Sequence, residues 1–203
     1  MNRTAALLIG LLLTFCPPAA AGQKMPSELA GFRLGEDIAD AANRVDMETR
    51  LPIRYAPYLS EVETRQLPGY KTGLITYGGC AYPGKILRIK MKYADHSKKF
   101  YQQLLKHFKD RFGEPSEWRG DPFQVVLAWK WSFADKEGNR VSLILQHNTQ
   151  DEEQKKGNSV KMTLTRHMEE EEACHEKAAG AVQNPQHRGR KAGKPDWEQL
   201  VPR

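Results

Sequence analysis

The chain has 203 residues and a formal net charge of +6 at pH 7, from 31 lysines and arginines against 25 aspartates and glutamates. This length is enough for one domain with a substantial core. The mild positive charge favours an acidic partner or an anionic surface, and it is too small to indicate a nucleic-acid-binding protein.

The N-terminus has the three parts of a cleavable signal peptide in the required order. Arg3 supplies the positive charge, residues 5–15 form the apolar run, and Ala19 and Ala21 are the small residues before a cleavage site. The apolar run is shorter than the roughly 20 residues that cross a bilayer, and no later segment approaches that length. The sequence therefore predicts a signal peptide over 1–21, a periplasmic or secreted product and no transmembrane anchor.

The three cysteines divide between the signal peptide and the exported part. Cys16 offers lipidation as an alternative to cleavage, but Phe15 is bulky at a position where lipidation prefers a small residue. Cys80 and Cys174 remain after cleavage, and an oxidising compartment favours a disulfide between them. A reactive Cys80 thiol in the turn GGCAYPG is the alternative, although no motif indicates a neighbouring base.

The first part of the exported chain predicts one helix and two short strands. Apolar residues recur at helical spacing in EDIADAANRV, residues 36–45, with acidic residues at its N-terminal end. The Pro- and Tyr-rich segment 46–58 indicates a structured loop. Residues 59–67 and 74–78 predict two strands on either side of the turn PGYKTG.

The clearest pattern lies in the middle of the chain. In KILRIKMKY, apolar and basic residues alternate, which predicts a half-buried strand with a basic outer face. Asp95 or Ser97 can cap the following helix, whose apolar residues recur at helical spacing from Tyr101 to Phe112. Gly113 stands where a helix-terminating glycine belongs.

The remaining alternation predicts three more strands, at 124–134, 141–145 and 160–164, the first two joined by the turn DKEGN. Together the elements predict an α+β fold, with an antiparallel sheet of about five to six strands, one long amphipathic helix packed on it and a shorter N-terminal helix.

The predicted domain covers 22–177, with its core over residues 28–168. The acidic segment HMEEEEACHEK near its end is compatible with a short helix. Residues 178–196 contain almost no large apolar side chains, so 178–203 is predicted to be a disordered basic tail.

Three segments resemble small exported envelope proteins: LGEDIADAANRV, KKFYQQLLKHFKDRFGEP and the W-x-F strand that follows. They are similar to the outer-membrane-assembly lipoprotein and β-lactamase-inhibitor-like modules, which place short helices over an antiparallel sheet. The chain departs from that pattern because no glycine–proline pair ends the first helix. The resemblance carries over no functional residue, and it lowers the expectation of enzyme activity.

A basic patch in the middle of the chain is the predicted binding surface. Arg88, Lys90 and Lys92 share one strand face, and Lys99 and Lys106 lie away from the apolar stripe of the helix. The predicted partners are an envelope protein or an anionic envelope component, and not nucleic acid. The alternative is a solvated surface that discourages pairing at a sheet edge.

No motif indicates a catalytic or metal site. His167, Cys174 and His175 flank four glutamates, but their spacing fits no zinc motif, and a solvated acidic helix face is favoured. The sequence also lacks a nucleophile elbow, an S-x-x-K motif and a phosphate-binding loop. No metal or cofactor is therefore predicted.

Three aromatic residues on one strand, Trp129, Trp131 and Phe133, form either part of the core or an exposed platform for sugars or peptides, and the core is favoured.

The sequence predicts a non-catalytic binding or assembly module of the cell envelope. The alternative is a small envelope hydrolase whose site forms only in the fold. A cleft with two or more buried ionisable groups would favour the hydrolase, and a smooth sheet face with an exposed apolar patch would favour binding.

Overall fold

The computed structural model describes residues 25–149 and 157–182, with side chains described as far as residue 180. The predicted signal peptide, with Cys16, and residues 183–203 of the predicted tail lie outside the described residues. The described chain forms ten strands and two helices. They are β1 (Glu28–Leu29), β2 (Phe32–Arg33), β3 (Val45–Ile53), β4 (Ala56–Thr64), β5 (Tyr70–Gly78), β6 (Ile86–Tyr93), α1 (Lys98–Phe112), β7 (Glu117–Trp118), β8 (Val126–Ala134), β9 (Arg140–Asn148), β10 (Gly157–Leu164) and α2 (Thr165–Val182).

Eight of the strands form one antiparallel sheet in the order β3-β4-β5-β6-β10-β9-β8-β7, and β1 and β2 form a separate two-stranded sheet. Strands β3 to β6 run as one meander, and β7 to β9 run as another. The last strand, β10, lies between β6 and β9 and pairs with both. The sheet is therefore two local meanders joined by the C-terminal strand.

The predicted sheet of five to six strands with one long helix was wrong. The fold is α+β but mostly β, with an eight-stranded sheet, a second small sheet and two helices. Part of the difference is segment 46–58, which is not a loop but most of the β3–β4 hairpin. Pro52 is tolerated there because β3 is an edge strand, where a missing amide donor removes no ladder bond. Helix α2, with 18 residues, is also longer than α1.

The predicted N-terminal helix was also wrong. Residues 38–44 form successive turns in which the amides bond to carbonyls three residues earlier, as Ala41 does to Ile38. The start of the segment is tied to the chain around the start of β6, because the Gly35 amide donates to Ile86 and the Ile38 amide donates to Gly84, and its end is tied to Arg65, whose amide donates to Arg44. These long-range hydrogen bonds prevail over helical propensity, although Ile38 and Ala41 still enter the core.

The sheet has two chemically different faces. The inner face carries apolar side chains side by side across the central strands, among them Ile89, Met162, Leu143 and Trp131. Helix α1 packs on this face, with the Phe108 ring 5.7 Å from the Trp131 ring. The outer face carries the residues in between, many of them basic or hydroxyl-bearing. Alternation along each strand separates the two sets.

Both ends of α1 are fixed by polar contacts to the chain around them. Ser97 accepts a hydrogen bond from the Phe100 amide, and the helix ends at Gly113, as predicted. The Trp131 indole donates to the Gly113 carbonyl oxygen at 2.8 Å. At the other end, the Asn158 side chain donates to the Asp95 and Ser97 carbonyl oxygens at 2.9 Å each. Helix α1 therefore has a defined position on the inner face.

Helix α2 crosses the end of the sheet where β4 and β6 begin. The predicted Cys80–Cys174 disulfide is present and joins α2 to the connection between β5 and β6. One turn earlier on α2, the Glu171 side chain is fully buried. Its carboxylate accepts hydrogen bonds from the backbone amides of Gly79, Cys80 and Tyr82 at 3.3, 2.8 and 2.6 Å. A covalent bond and a buried anion thus hold the same loop.

Among the described residues, no helix is long and apolar enough to cross a membrane.

Candidate functional site

The structure divides the predicted basic patch between the two sides of the sheet. Arg88, Lys90 and Lys92 lie on the outer face of β6, as their alternation predicted. Lys99 and Lys106 are exposed on α1, which packs on the inner face. The sheet therefore lies between the strand residues and the helix residues, and the five residues do not form one surface.

Lys161 joins the strand residues from a distant part of the chain. Strand β10 pairs with β6 so that Lys161 lies directly opposite Lys90, and Thr163 lies opposite Arg88. We call Arg88, Lys90 and Lys161 the basic cluster. Lys161 was not among the predicted site residues, although its polar position between Val160 and Met162 indicated an outward-facing side chain. The sequence does not show that β10 is the strand that pairs with β6.

The basic cluster is partly withdrawn from water. Burial lowers the pKa of Arg88, and the nearby Glu61 carboxylate offsets part of that shift. Burial also lowers the pKa of Lys161, and the positive charges of Arg88, Lys90 and Arg119 lower it further. The Arg88 Nε atom is buried and has no hydrogen-bond partner among the described residues. The cluster therefore combines desolvation with like-charge repulsion, and both disfavour the charged forms.

Other basic residues on the two faces have carboxylate partners. Lys130, on the outer face, lies 3.2 Å from Glu117, and Lys106, on α1, lies 2.7 Å from Asp110. By contrast, no ion pair joins any member of the basic cluster to a carboxylate in the part of the chain that the structure describes. Glu61, whose charge acts on Arg88, accepts a hydrogen bond from the Thr76 hydroxyl instead. Within the described residues, the positive charge of the cluster is therefore only partly compensated.

Hydroxyl groups continue from the cluster across the outer face. Thr163 pairs with Ser142, Ser142 pairs with Ser132, and the Ser132 hydroxyl accepts from the Ser116 hydroxyl at 3.4 Å. Guanidinium, ammonium and hydroxyl groups are the side-chain donors that bind phosphate, sulfate and carboxylate oxygens. Thr163 and Ser142 are buried and Ser132 is exposed, so the basic cluster supplies most of the accessible anion-binding donors of the outer face.

Protection of a sheet edge does not explain these charges. Lysines at an edge strand discourage pairing with another chain. Strands β6 and β10 are the fourth and fifth in the sheet, and each pairs with a strand on both sides. The positive charges thus lie on strands that expose no free edge.

The acidic segment on α2 is used for structure. Glu171 binds backbone amides, Cys174 is in the disulfide, and the His167 and His175 rings pack against tyrosines. The described residues contain no group of three or more side chains that could hold a metal ion. Buried His147, whose Nδ1 lies 2.7 Å from the Asn158 side-chain oxygen, belongs to the opposite end of the sheet from Glu171.

The aromatic strand contributes mainly to the core. Trp131 and Phe133 are buried on the inner face. Trp129 is half-buried and packs edge-on against Trp118, which lies on the two-residue edge strand β7. The centres of the two rings are 4.6 Å apart. This perpendicular arrangement does not offer two coplanar rings on which a sugar or peptide could stack.

No protein-family model matches the chain, and neither the curated proteins nor the solved structures contain a match.

Proposed function

We propose that this protein is a binding module that holds an anionic ligand on the outer face of its sheet, through Arg88, Lys90 and Lys161. The observation that carries the proposal is the pairing of Lys161 with Lys90 at the centre of the sheet, next to a half-buried Arg88 and without a carboxylate partner among the described residues. A bound anion would supply the missing charge.

The energetic argument is that this arrangement weakens the isolated fold. Like charges directly opposite each other on neighbouring strands are destabilising, and partial burial adds a desolvation cost. Both effects are offset when an anion binds between the cations and accepts their hydrogen bonds. Costs of this kind are typical of functional surfaces.

The shape of the surface favours an extended ligand. The cluster lies on a sheet face that continues on both sides, and beyond Arg88 the residues Thr163 and Ser142 are buried while Ser132 is exposed. A chain of repeated phosphate, sulfate or carboxylate groups would place one group on the cluster and another near the exposed Ser132 hydroxyl. If the predicted export holds, such a ligand would be an anionic component of the cell envelope.

The proposal is tested by titrating the protein with short-chain inorganic polyphosphate in a calorimeter at several salt concentrations. The outer-face variant combines Arg88→Gln, Lys90→Gln and Lys161→Gln. We expect its affinity to fall by at least about tenfold, because charge-assisted hydrogen bonds are lost. We also expect affinity to depend less steeply on salt, because fewer counterions are released on binding.

A matched control removes the same number of charges from α1 through Lys98→Gln, Lys99→Gln and Lys106→Gln. These residues are exposed on the other side of the sheet. We expect the control to bind polyphosphate as the wild-type protein does. If both variants lose affinity equally, the ligand recognises net charge and the proposed site is wrong. If both variants bind polyphosphate as tightly as the wild-type protein does, the proposed site is wrong and the outer face is a solvated surface.

A further inference from the structure

A cavity of about 470 Å³ lies on the inner face, between α1 and the N-terminal segment. Its floor is the buried sheet surface at Leu143, Val160 and Met162. One wall is formed by Met25 and Leu29 of the N-terminal segment. The cavity and the basic cluster are on opposite faces of the sheet, so the two are independent.

The other wall belongs to α1. Phe108 and Phe112 line the cavity from successive turns of the helix, and both rings are half-buried. Tyr93, at the end of β6, closes one side. The floor and these walls are therefore mainly apolar, and the cavity volume falls within the roughly 300–1,000 Å³ of typical small-molecule sites.

Two basic side chains stand at the mouth. His107 and Arg111 line the cavity and lie four residues apart on α1, so they project from the same side of the helix. Both are exposed, and the Arg111 guanidinium lies 5.6 Å from the centre of the Phe112 ring. No carboxylate forms an ion pair with Arg111 among the described residues.

The one acidic residue of the lining already has a partner. Glu28 forms an ion pair with Arg33 at 3.4 Å, on the two-stranded sheet opposite α1. The helix side of the mouth is thus basic, while the charge of the opposite side is balanced. This asymmetry favours a ligand with one negative charge at its polar end.

We propose that this cavity binds a medium-chain fatty-acid anion, with the hydrocarbon chain on Leu143, Val160 and Met162 and the carboxylate on Arg111. Arginine suits this role because its planar guanidinium donates two parallel hydrogen bonds to a carboxylate. Binding of the chain removes apolar surface of both ligand and cavity from water.

The test is a calorimetric titration of the full chain with octanoate, decanoate and laurate below their micelle concentrations. We expect saturable binding of one molecule, tightening by about threefold to fourfold for each added methylene group. Adsorption of the carboxylate to a basic surface would show no such dependence on chain length. Laurate binding should slow amide hydrogen exchange in residues 25–29 and in the last two turns of α1.

Two variants of equal charge locate the carboxylate. Arg111→Gln should weaken laurate binding by at least about tenfold, because a charge-assisted hydrogen-bond pair is lost. Lys99→Gln, on the same helix but outside the cavity lining, should leave laurate binding unchanged. The outer-face variant that tests the proposed function should also bind laurate normally.

The proposal is overturned if laurate shows no saturable binding. The same result is expected if the chain before Met25 fills the cavity. It is equally overturned if affinity is independent of chain length. Equal losses in Arg111→Gln and Lys99→Gln would show that the carboxylate is attracted by general charge and not by Arg111.

Discussion

At the scale of single residues, the buried Glu171 carboxylate has hydrogen-bond partners, whereas the partly buried cations of the basic cluster have no carboxylate partner among the described residues. Glu171 is fully enclosed, and three backbone amides donate to its carboxylate. Lys161 faces Lys90 and Arg88 and has no carboxylate partner in the described chain. The first arrangement stabilises the fold, because the charge is satisfied. The second costs stability, because repulsion and desolvation act together.

The cost at Lys161 can be measured through its dependence on pH. We expect Lys161→Met to raise the free energy of unfolding at pH 7 by about 0.5–1 kcal/mol, because a like-charge pair across neighbouring strands is removed. Because the pKa of Lys161 is lowered in the folded state, the folded protein loses this proton at a lower pH than the unfolded protein does. Between that lowered pKa and the usual 10.5, the unfolded state holds more protons, so the wild-type protein is stabilised as pH rises. The advantage of the variant should therefore shrink in urea titrations from pH 7 towards pH 10.

Lys136→Met is the matched control, since Lys136 is exposed in the β8–β9 turn. Its effect on the free energy of unfolding should be small and independent of pH. A difference between the wild-type protein and Lys161→Met that stays constant over this range would contradict the assigned cause.

At the scale of elements, the position of α2 depends on the loop that Glu171 binds. The loop approaches the helix so closely that a Cβ at Gly78 would lie 2.2 Å from the Glu171 Oε1 atom and 2.5 Å from the Tyr82 carbonyl oxygen. The residue at this position must therefore be glycine for the carboxylate to reach the loop amides. The close contact between loop and helix therefore depends on the Glu171 carboxylate and on the absence of a Cβ at Gly78.

Glu171→Gln should lower the free energy of unfolding by about 2–3 kcal/mol. Glutamine keeps one acceptor oxygen, which can still accept from the Gly79 and Cys80 amides, while its NH2 group then faces the Tyr82 amide, donor against donor, in a buried site. Urea denaturation with the disulfide intact provides the measurement. Glu172→Gln, one residue later and exposed, should be nearly neutral. Equal effects of the two changes would show that helix charge, and not the loop amides, is responsible.

The element boundaries show what local patterns can predict. Asp95 or Ser97 was predicted to cap α1 and Gly113 to end it, and Ser97 and Gly113 hold these positions, because caps depend on neighbours within the same turn. The alternation in β6 predicted its two faces for the same reason. The turns at 38–44 were mistaken for a helix, because the bonds that hold Gly35 and Ile38 to β6 come from residues about 50 positions away. The spacing of the apolar residues alone could not distinguish a helix from these turns.

At the scale of the whole molecule, the candidate site could be only partly predicted. Arg88, Lys90 and Lys92 were assigned to one face correctly, but Lys99 and Lys106 were grouped with them because they are close in sequence. The sheet separates these two sets, and it brings in Lys161, about 70 residues later in the chain. Strand order is set by packing over the entire domain, and no window of sequence contains that information.

The disulfide acts on the entire fold. It links residues 94 positions apart, and in the chain-entropy view such a loop restricts the unfolded state strongly. We expect Cys80→Ser with Cys174→Ser to lower the free energy of unfolding by about 3–5 kcal/mol. Amide exchange should also become faster in α2, since only non-covalent contacts, those of Glu171, Glu170 and His167, would then hold it to the loop.

Two comparisons separate these effects. Glu171→Gln in the oxidised protein should affect α2 less than the same change in the serine variant, because in the oxidised protein the disulfide still holds the helix. If the serine variant keeps the stability and the α2 exchange rates of the wild-type protein, the disulfide has no structural role.

The order of strands also has a consequence for how the chain is made. Synthesis proceeds from the N-terminus, so the meander of β3 to β6 and the meander of β7 to β9 both emerge before β10. Until residues 157–164 are available, the inner edges of the two meanders have no partner, and the domain cannot complete its cooperative core. A nascent chain of this protein therefore cannot close the eight-stranded sheet before β10 has been made. Any shortened product that ends before β10 would expose two unpaired strand edges and become a target for proteases.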